Sequence, residues 1–382
     1  MNSNLLYNRN NSGQSLEEKL SWLRLIRTDN VGPVTFYRLI ERYGSAKAAI
    51  EALPELSRKG GGKRPLKVPP PESVEKEYEK LKRYGGDIIT VAEEDYPLAL
   101  SACEDAPPVL SIKGRRELLN TRCIAMVGAR NASYNGRKFA AKLAGDLGEA
   151  GLTVISGMAR GIDTAAHNGS VNTGTIAVVA GGIDIVYPEE NRSLYEKIAE
   201  GGLVIAENAF GFKPRPQDFP RRNRIVSGLS EGVIVVEASL RSGSLITARL
   251  AGEQGRDVFA VPGYPMDPRA QGPNKLIRDG AVLVEDASHI IEVLNSFSAS
   301  SMRDNKHSYD YESFENSGYG EPDDPDSSRQ ILLDNLSHTA IGVDELIHAC
   351  HLTIPVAQTL LLELELAGRL QRHSGGRVSL VD

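Results

Sequence analysis

Cysteine is nearly missing from this 382-residue chain. Cys103, Cys123 and Cys350 are too few, too far apart and odd in number for a disulfide framework or a zinc site. Reduced, structural thiols are expected. No apolar run approaches the length of a membrane-spanning helix, and the asparagine-rich start, Met1 to Ser15, has no apolar core of a signal peptide. A cytoplasmic location follows as an expectation. Net positive charge is also absent, the formal value being -6, which argues at first sight against a polyanionic partner. Residues 296–328 carry -6 by themselves, so the rest of the chain sums to zero and local clusters decide what binds. What is present is 41% hydrophobic content, enough for a large core and two or three domains.

Residues 1–14 read as a disordered tail. Residues 15–86 read as a helical SAM or helix-hairpin-helix-like domain with its linker: Trp22, Leu23, Leu25 and Ile26 precede a turn, Asp29-Asn30-Val31-Gly32-Pro33, and then Phe36, Leu39 and Ile40. Such a turn either docks a DNA phosphate on its amides or merely joins packed helices, and the pattern does not separate the two. Lys59-Gly60-Gly61-Gly62-Lys63-Arg64-Pro65 reads as a flexible basic loop. From 87 to 295 short apolar runs alternate with helical lengths: Ile124 to Val127, Leu152 to Ser156, Ile176 to Ala180, Leu203 to Ala206, Val233 to Val236, Val258 to Val261 and Val282 to Val284. That alternation predicts βαβ units and a parallel sheet with ligands at the carboxyl edge of its strands. Residues 296–328 read as an acidic, solvated linker. Residues 329–382 suggest three helices and a terminal hairpin, the layout of a winged helix. The fold class is therefore α/β: a Rossmann-like parallel sheet domain between a small helical N-terminal domain and a C-terminal winged helix.

The stretch from Phe219 to Ala248 is the densest in chemistry. Arg221, Arg222 and Arg224, with Asn223 among them, precede an apolar strand, and Ser242, Gly243 and Ser244 follow it where a helix should begin. Free amides at a helix start and guanidinium forks are both phosphate ligands. Lys213 and Arg215 extend the cluster, interleaved with Phe210, Phe212 and Phe219, the combination that single-stranded nucleic acid needs for backbone charge and base stacking. Phe219 and Tyr187 are the stacking candidates. At Val127-Gly128-Ala129-Arg130 an arginine stands where a dinucleotide fold needs its second glycine, and the next strand ends in Ser156-Gly157 rather than an acid, so no NAD and no other cofactor is expected. Asp163 or Thr164 is expected to cap a helix. His167, four residues after Asp163, is expected to pair with it as a structural histidine. No serine or cysteine nucleophile has a supporting acid, so the protein is not expected to be an enzyme.

Taken together, Val127 to Arg130, SGMARGIDTAAH from Ser156, GGIDIVYPEEN from Gly181, FPRRNRIVSGLS from Phe219, SGSLITA from Ser242 and the VPG at Val261 resemble the DNA-processing protein A (DprA, or Smf) family of bacterial recombination mediators. The resemblance implies a homodimer, joined through its sheet domain, that binds and protects incoming single-stranded DNA and helps load the RecA recombinase in natural transformation. It places DNA contacts on Gly128, Arg130, Ser156, Gly157, Arg222, Asn223, Arg224, Ser242, Gly243 and Ser244. The chain has Ala206-Glu207 where that family usually has Ser-Glu.

The winged helix's recognition segment, Ile354 to Ala367, has no lysine or arginine and carries Glu363 and Glu365, so a protein-contact role is expected in place of duplex reading. The competing function is a phosphoribohydrolase of the LOG type. Its P-G-G-x-G-T-x-x-E pattern, laid on Ser242-Gly243, puts Arg249 where the catalytic glutamate belongs.

Overall fold

Short β-branched runs with no polar alternation belong to strands covered on both faces, and all seven expected runs become strands of one sheet. The computed structural model describes residues 14–62, 66–301, 325–373 and 375–381. Among them, 14–20 and 72–301 form one compact unit, while 21–71 and the described residues from 325 onward form another.

In the first unit the strands are β1 (Asp87–Thr90), β2 (Val109–Gly114), β3 (Cys123–Val127), β4 (Thr153–Ser156), β5 (Thr175–Val179), β6 (Leu203–Ala206), β7 (Gly232–Val235), β8 (Asp257–Ala260) and β9 (Val282–Leu283). Their spatial order is β1-β2-β6-β5-β4-β3-β7-β8-β9. From β3 to β9 every pairing is parallel. The two unexpected strands, β1 and β2, add antiparallel at the β6 edge, so the sheet is not wholly parallel. The chain lays β3 to β6 outward in one direction and then returns to add β7 to β9 on the other side. That reversal sets a crevice between the carboxyl ends of β3 and β7, the place where open α/β sheets take ligands.

One face is covered by the helices Tyr134–Glu149, Ile162–Ser170 and Ala287–Ser301, whose Leu143, Leu147, Ile162 and Ile290 pack with Ile124, Met126, Ile234 and Phe259 of the strands. The helices Asp218–Gly228 and Gly243–Glu253 pack on each other, and also against β5 and against β7 and β8 respectively. The three cysteines are buried and unpaired, and burial pushes the Cys123 thiol up to about 12.

Several expected boundaries move. The helix Pro71–Arg83 joins the sheet unit and not the helical domain: Val74 and Leu81 are buried, Tyr78 Oη lies 3.3 Å from Asp87 Oδ1, and Lys113 Nζ sits 3.6 Å over the Tyr84 ring. Gln14, placed in the tail, accepts a 2.6 Å hydrogen bond from Thr90 Oγ1. The rest of that tail lies outside the described residues, as does Lys63-Arg64-Pro65. At the acidic linker, helix Ala287–Ser301 runs into its start and helix Pro325–Asn335 begins before its end. Residues 302–324 lie outside the described residues.

The second unit joins both chain ends. Its helices Pro33–Tyr43 and Ala46–Lys59 close on Trp22, Leu23 and Leu25, with the Trp22 ring edge-on to Phe36 at 5.1 Å. The helices Pro325–Asn335, Val343–Cys350 and Ile354–Leu366 and the strands β10 (Ile341–Gly342), β11 (Leu370–His373) and β12 (Arg377–Leu380) form the winged helix around Leu332, Leu346, Leu361, Leu364 and Val378.

Candidate nucleic-acid interface

Because β3 to β9 run parallel, the loops that follow them gather at one edge. Three of the residues singled out in the sequence meet there. The Arg130 guanidinium, exposed after β3, lies 5.4 Å from the centre of the Phe219 ring. Phe219, in the first turn of helix Asp218–Gly228, lies 5.3 Å from the Tyr187 ring at a 50° tilt. Tyr187, from the loop after β5, is 53% exposed. A cation and two aromatic faces from three distant segments thus form one row, the arrangement that takes a phosphate and its neighbouring bases.

The arginine cluster differs from its expected form. It lies on a helix, and helical spacing sends its members to different sides. Arg221 is exposed, while Arg222 and Arg224 are 7% and 9% exposed. Arg222 Nη1 donates to Gly157 O at 2.8 Å and to Val178 O, and its Nε donates to Asn223 Oδ1 at 3.3 Å. Arg224 donates to Asp105 O at 2.6 Å and is ion-paired with Glu207 and, at 3.5 Å, Asp105. Neither is a mobile fork; both bolt the helix to the ends of the strands. Glu207, retained beside the Ala206 that departs from the usual Ser-Glu, is therefore a structural partner. The cations that reach solvent in this segment are Lys213, Arg215 and Arg221, and Arg215 lies 5.6 Å from the Phe212 ring.

The loop after β4 is also held from inside. Ser156 Oγ is buried and donates to Met126 O at 2.7 Å. The Gly157 and Ala159 amides each donate to Asp163 Oδ2 at 3.2 Å, so Asp163 ties the loop in addition to standing in the first turn of its helix. The Ser156 hydroxyl and the Gly157 amide are thereby engaged within the protein. Only glycine fits at 157, because a Cβ would lie 2.6 Å from Arg222 Nη2. Burial pushes the Asp163 carboxyl up to about 6, with the Arg222 charge and the loop amides acting against it. Burial also draws Arg222 down to about 10, with Asp163 opposing. Burial outweighs attraction on both sides, yet at neutral pH the pair is charged. His167 does not pair with Asp163 as expected. Its Nδ1 is 2.8 Å from Thr175 Oγ1, and burial together with the nearby Arg222 charge holds its pKa at about 3, so the ring is neutral.

Two helix starts face the crevice and are treated differently. Ser242 caps helix Gly243–Glu253 by accepting from the Ser244 amide, no acid stands in the first turn, and the space beside Gly243 is open. At helix Tyr134–Glu149, the Ser133 amide and hydroxyl donate to Glu237 at 2.8 and 2.6 Å. The positive end where a dinucleotide would set its pyrophosphate already faces the protein's own carboxylate. Gly128 is equally closed in, against Ile162 and the Glu237 carbonyl. Sequence reasoning missed Glu237, although an acid directly after the strand at the reversal point was a readable signal. Among the described residues no group of His, Cys, Asp and Glu could hold a metal ion.

Residues 87–295 match the family described as DNA recombination-mediator protein A, residues 16–79 a DprA-like N-terminal HHH domain, and residues 320–376 a DprA winged helix domain. Protein Smf of Escherichia coli is 39% identical over 316 residues, 81% of this chain and 82% of that protein. The DNA processing protein DprA of Bacillus subtilis is 42% identical over 231 residues, 58% of this chain and 78% of that one. The crystal structure of DNA processing protein A from Streptococcus pneumoniae superposes with a TM-score of 0.57 at 33% identity, covering 76% of this chain and 97% of that one. A solved structure of DNA processing protein A from Helicobacter pylori, described for its single-stranded DNA binding mode, gives 0.51 at 28% identity over 56% of this chain and 96% of that one. With three matching modules in order and close relatives along most of its length, the chain belongs to the DNA recombination-mediator protein A (DprA/Smf) family.

Proposed function

We propose that this protein binds single-stranded DNA along the carboxyl edge of its sheet, protects it, and helps load RecA during natural transformation, acting in the cytoplasm as a homodimer joined through the sheet domain. The observation that carries the DNA reading is the row formed by Arg130, Phe219 and Tyr187. Bases stack on the two rings whatever their identity, and Arg130, Lys213, Arg215 and Arg221 answer the phosphates. The open start of helix Gly243–Glu253 offers a further phosphate seat. Arg222 and Arg224 hold the platform in place from beneath. Family membership supports the recombination role, and the Helicobacter pylori relative supports the choice of single strands.

The phosphoribohydrolase reading lacks its acid. Arg249, at the glutamate's place, is an exposed cation paired with Glu253 at 3.5 Å. Fluorescence anisotropy with single-stranded DNA, duplex DNA and AMP across a salt series tests the proposal. Binding is expected to favour the single strand, with a slope of about -0.7 in log affinity per phosphate contact. Preference for AMP, or release of its ribose phosphate, refutes it.

A further inference from the structure

Two modules of kinds that commonly meet duplex DNA are packed face to face in the second unit. A helix-hairpin-helix presents its hairpin and a winged helix presents its recognition helix. Here Asn30 of the hairpin, at φ 62°, donates its Nδ2 to Leu366 O at 3.1 Å. The recognition helix Ile354–Leu366 packs along helix Ala46–Lys59. Arg42 Nη1 is 3.4 Å from Thr359 Oγ1, and Arg369 Nη1 is 3.5 Å from Gly60 O. The touching positions 359, 363, 366 and 367 recur at helical spacing and so share one face. Leu362 and Leu366 are 3% and 0% exposed although neither belongs to the winged helix's own apolar cluster.

Gly60 marks how close the approach is. Its backbone, φ -70° and ψ -2°, suits any residue, yet a Cβ there would lie 2.0 Å from the Glu363 carbonyl oxygen. The helix, and not the local turn, demands the glycine. Gly60, in the stretch expected to be flexible, is instead a point of contact. Charge points the same way. The recognition helix has no lysine or arginine, and its Glu363 and Glu365 are neutralised within the winged helix by Arg329 at 2.5 Å and Arg372 at 2.9 Å. Such a face suits a protein surface and offers a phosphate backbone no lysine or arginine.

We propose that helix Ile354–Leu366 is a docking surface whose occupant is the chain's own N-terminal helical module, so that this winged helix serves protein contact within one chain and not duplex reading. The proposal is independent of the single-strand site. Energy transfer in the full chain, between dyes on Glu51→Cys and Gln358→Cys, both exposed positions, tests it, the native cysteines being buried. Transfer is expected to be high, to persist when labelled protein is diluted into excess unlabelled protein, and to be lost on Gly60→Leu. Thr359→Arg, which sets a second guanidinium beside Arg42 without entering the winged-helix core, is expected to lose it as well. Adding Arg42→Glu should restore it. Loss on dilution, marking a second copy as the occupant, overturns the proposal, as does transfer that survives both Gly60→Leu and Thr359→Arg. Single-strand affinity is expected to stay unchanged in all variants, so its failure and that of the DNA reading are told apart.

Discussion

Arg222→Ala separates a bolt from a clamp. The guanidinium donates to Gly157 O and Val178 O and faces the Asp163 carboxylate, with only 7% of the residue exposed. Truncating one side of a buried charged pair costs about 3–5 kcal/mol. Protonation of Asp163, whose pKa is already raised to about 6, offsets part of this and points to the low end, about 3 kcal/mol. A domain of roughly 200 residues loses about 2–4 °C of melting temperature per kcal/mol, so a fall of about 6–12 °C is expected. Arg130→Ala is the control. That side chain is exposed, and its contact with Phe219 is of a kind worth about 0.5–1 kcal/mol. Its melting temperature should therefore move by only about 1–4 °C, while the single-strand salt slope should shrink by about 0.7, one phosphate contact. Thermal melts and anisotropy salt series on the two variants give both readings. If Arg222→Ala melts with the wild type and instead loses about 0.7 of salt slope, the guanidinium is a phosphate clamp and the argument from its burial is wrong.

Phe219→Ala should weaken single-strand binding by about 1–3 kcal/mol, the worth of a base stacked on a ring, with the salt slope unchanged. An affinity equal to wild type refutes its place in the row. His167 makes stability pH-dependent: its folded pKa of about 3 lies below the ordinary 6.5, so the unfolded chain takes up a proton first as the solution is acidified. Its stabilisation is complete above pH 6.5 and is lost as pH falls toward 3. Measured by denaturant unfolding, the advantage of wild type over His167→Gln should shrink by about 2–3 kcal/mol between pH 6.5 and 4.5. Asp163 contributes the opposite slope, stability falling as pH rises from about 4 through 6, but it is common to both proteins and cancels. A constant difference between the two proteins refutes the assignment.

Strands and helix starts were readable because their signals are local. The run Val233 to Val236 and the cap at Ser242 each needed only their neighbours in sequence. β1 and β2 were not read, since four to six residues, following two glycines and two prolines respectively, with no crossover helix between parallel partners, leave little periodic signal. The candidate site was legible as a set of residue types and not as an arrangement. Arg130, Tyr187 and Phe219 were each singled out, and nothing in their spacing said that the three form one row. Ser156 and Gly157 looked available and are tied to Met126 and Asp163.

By itself the sequence determined the fold class, the family, and the wealth of cations and rings in connections that must share a sheet edge, because βαβ alternation dictates strand direction and the motifs carry their own order. Only the tertiary structure decided which arginines face solvent. Helical geometry turned Arg222 and Arg224 inward, onto carbonyls and acids contributed by residues 105, 157, 178 and 207. It also decided that Glu237 fills the dinucleotide seat and that the chain's two end modules meet. Burial and pairing of this kind are set by residues far apart in the chain, and no local pattern encodes them.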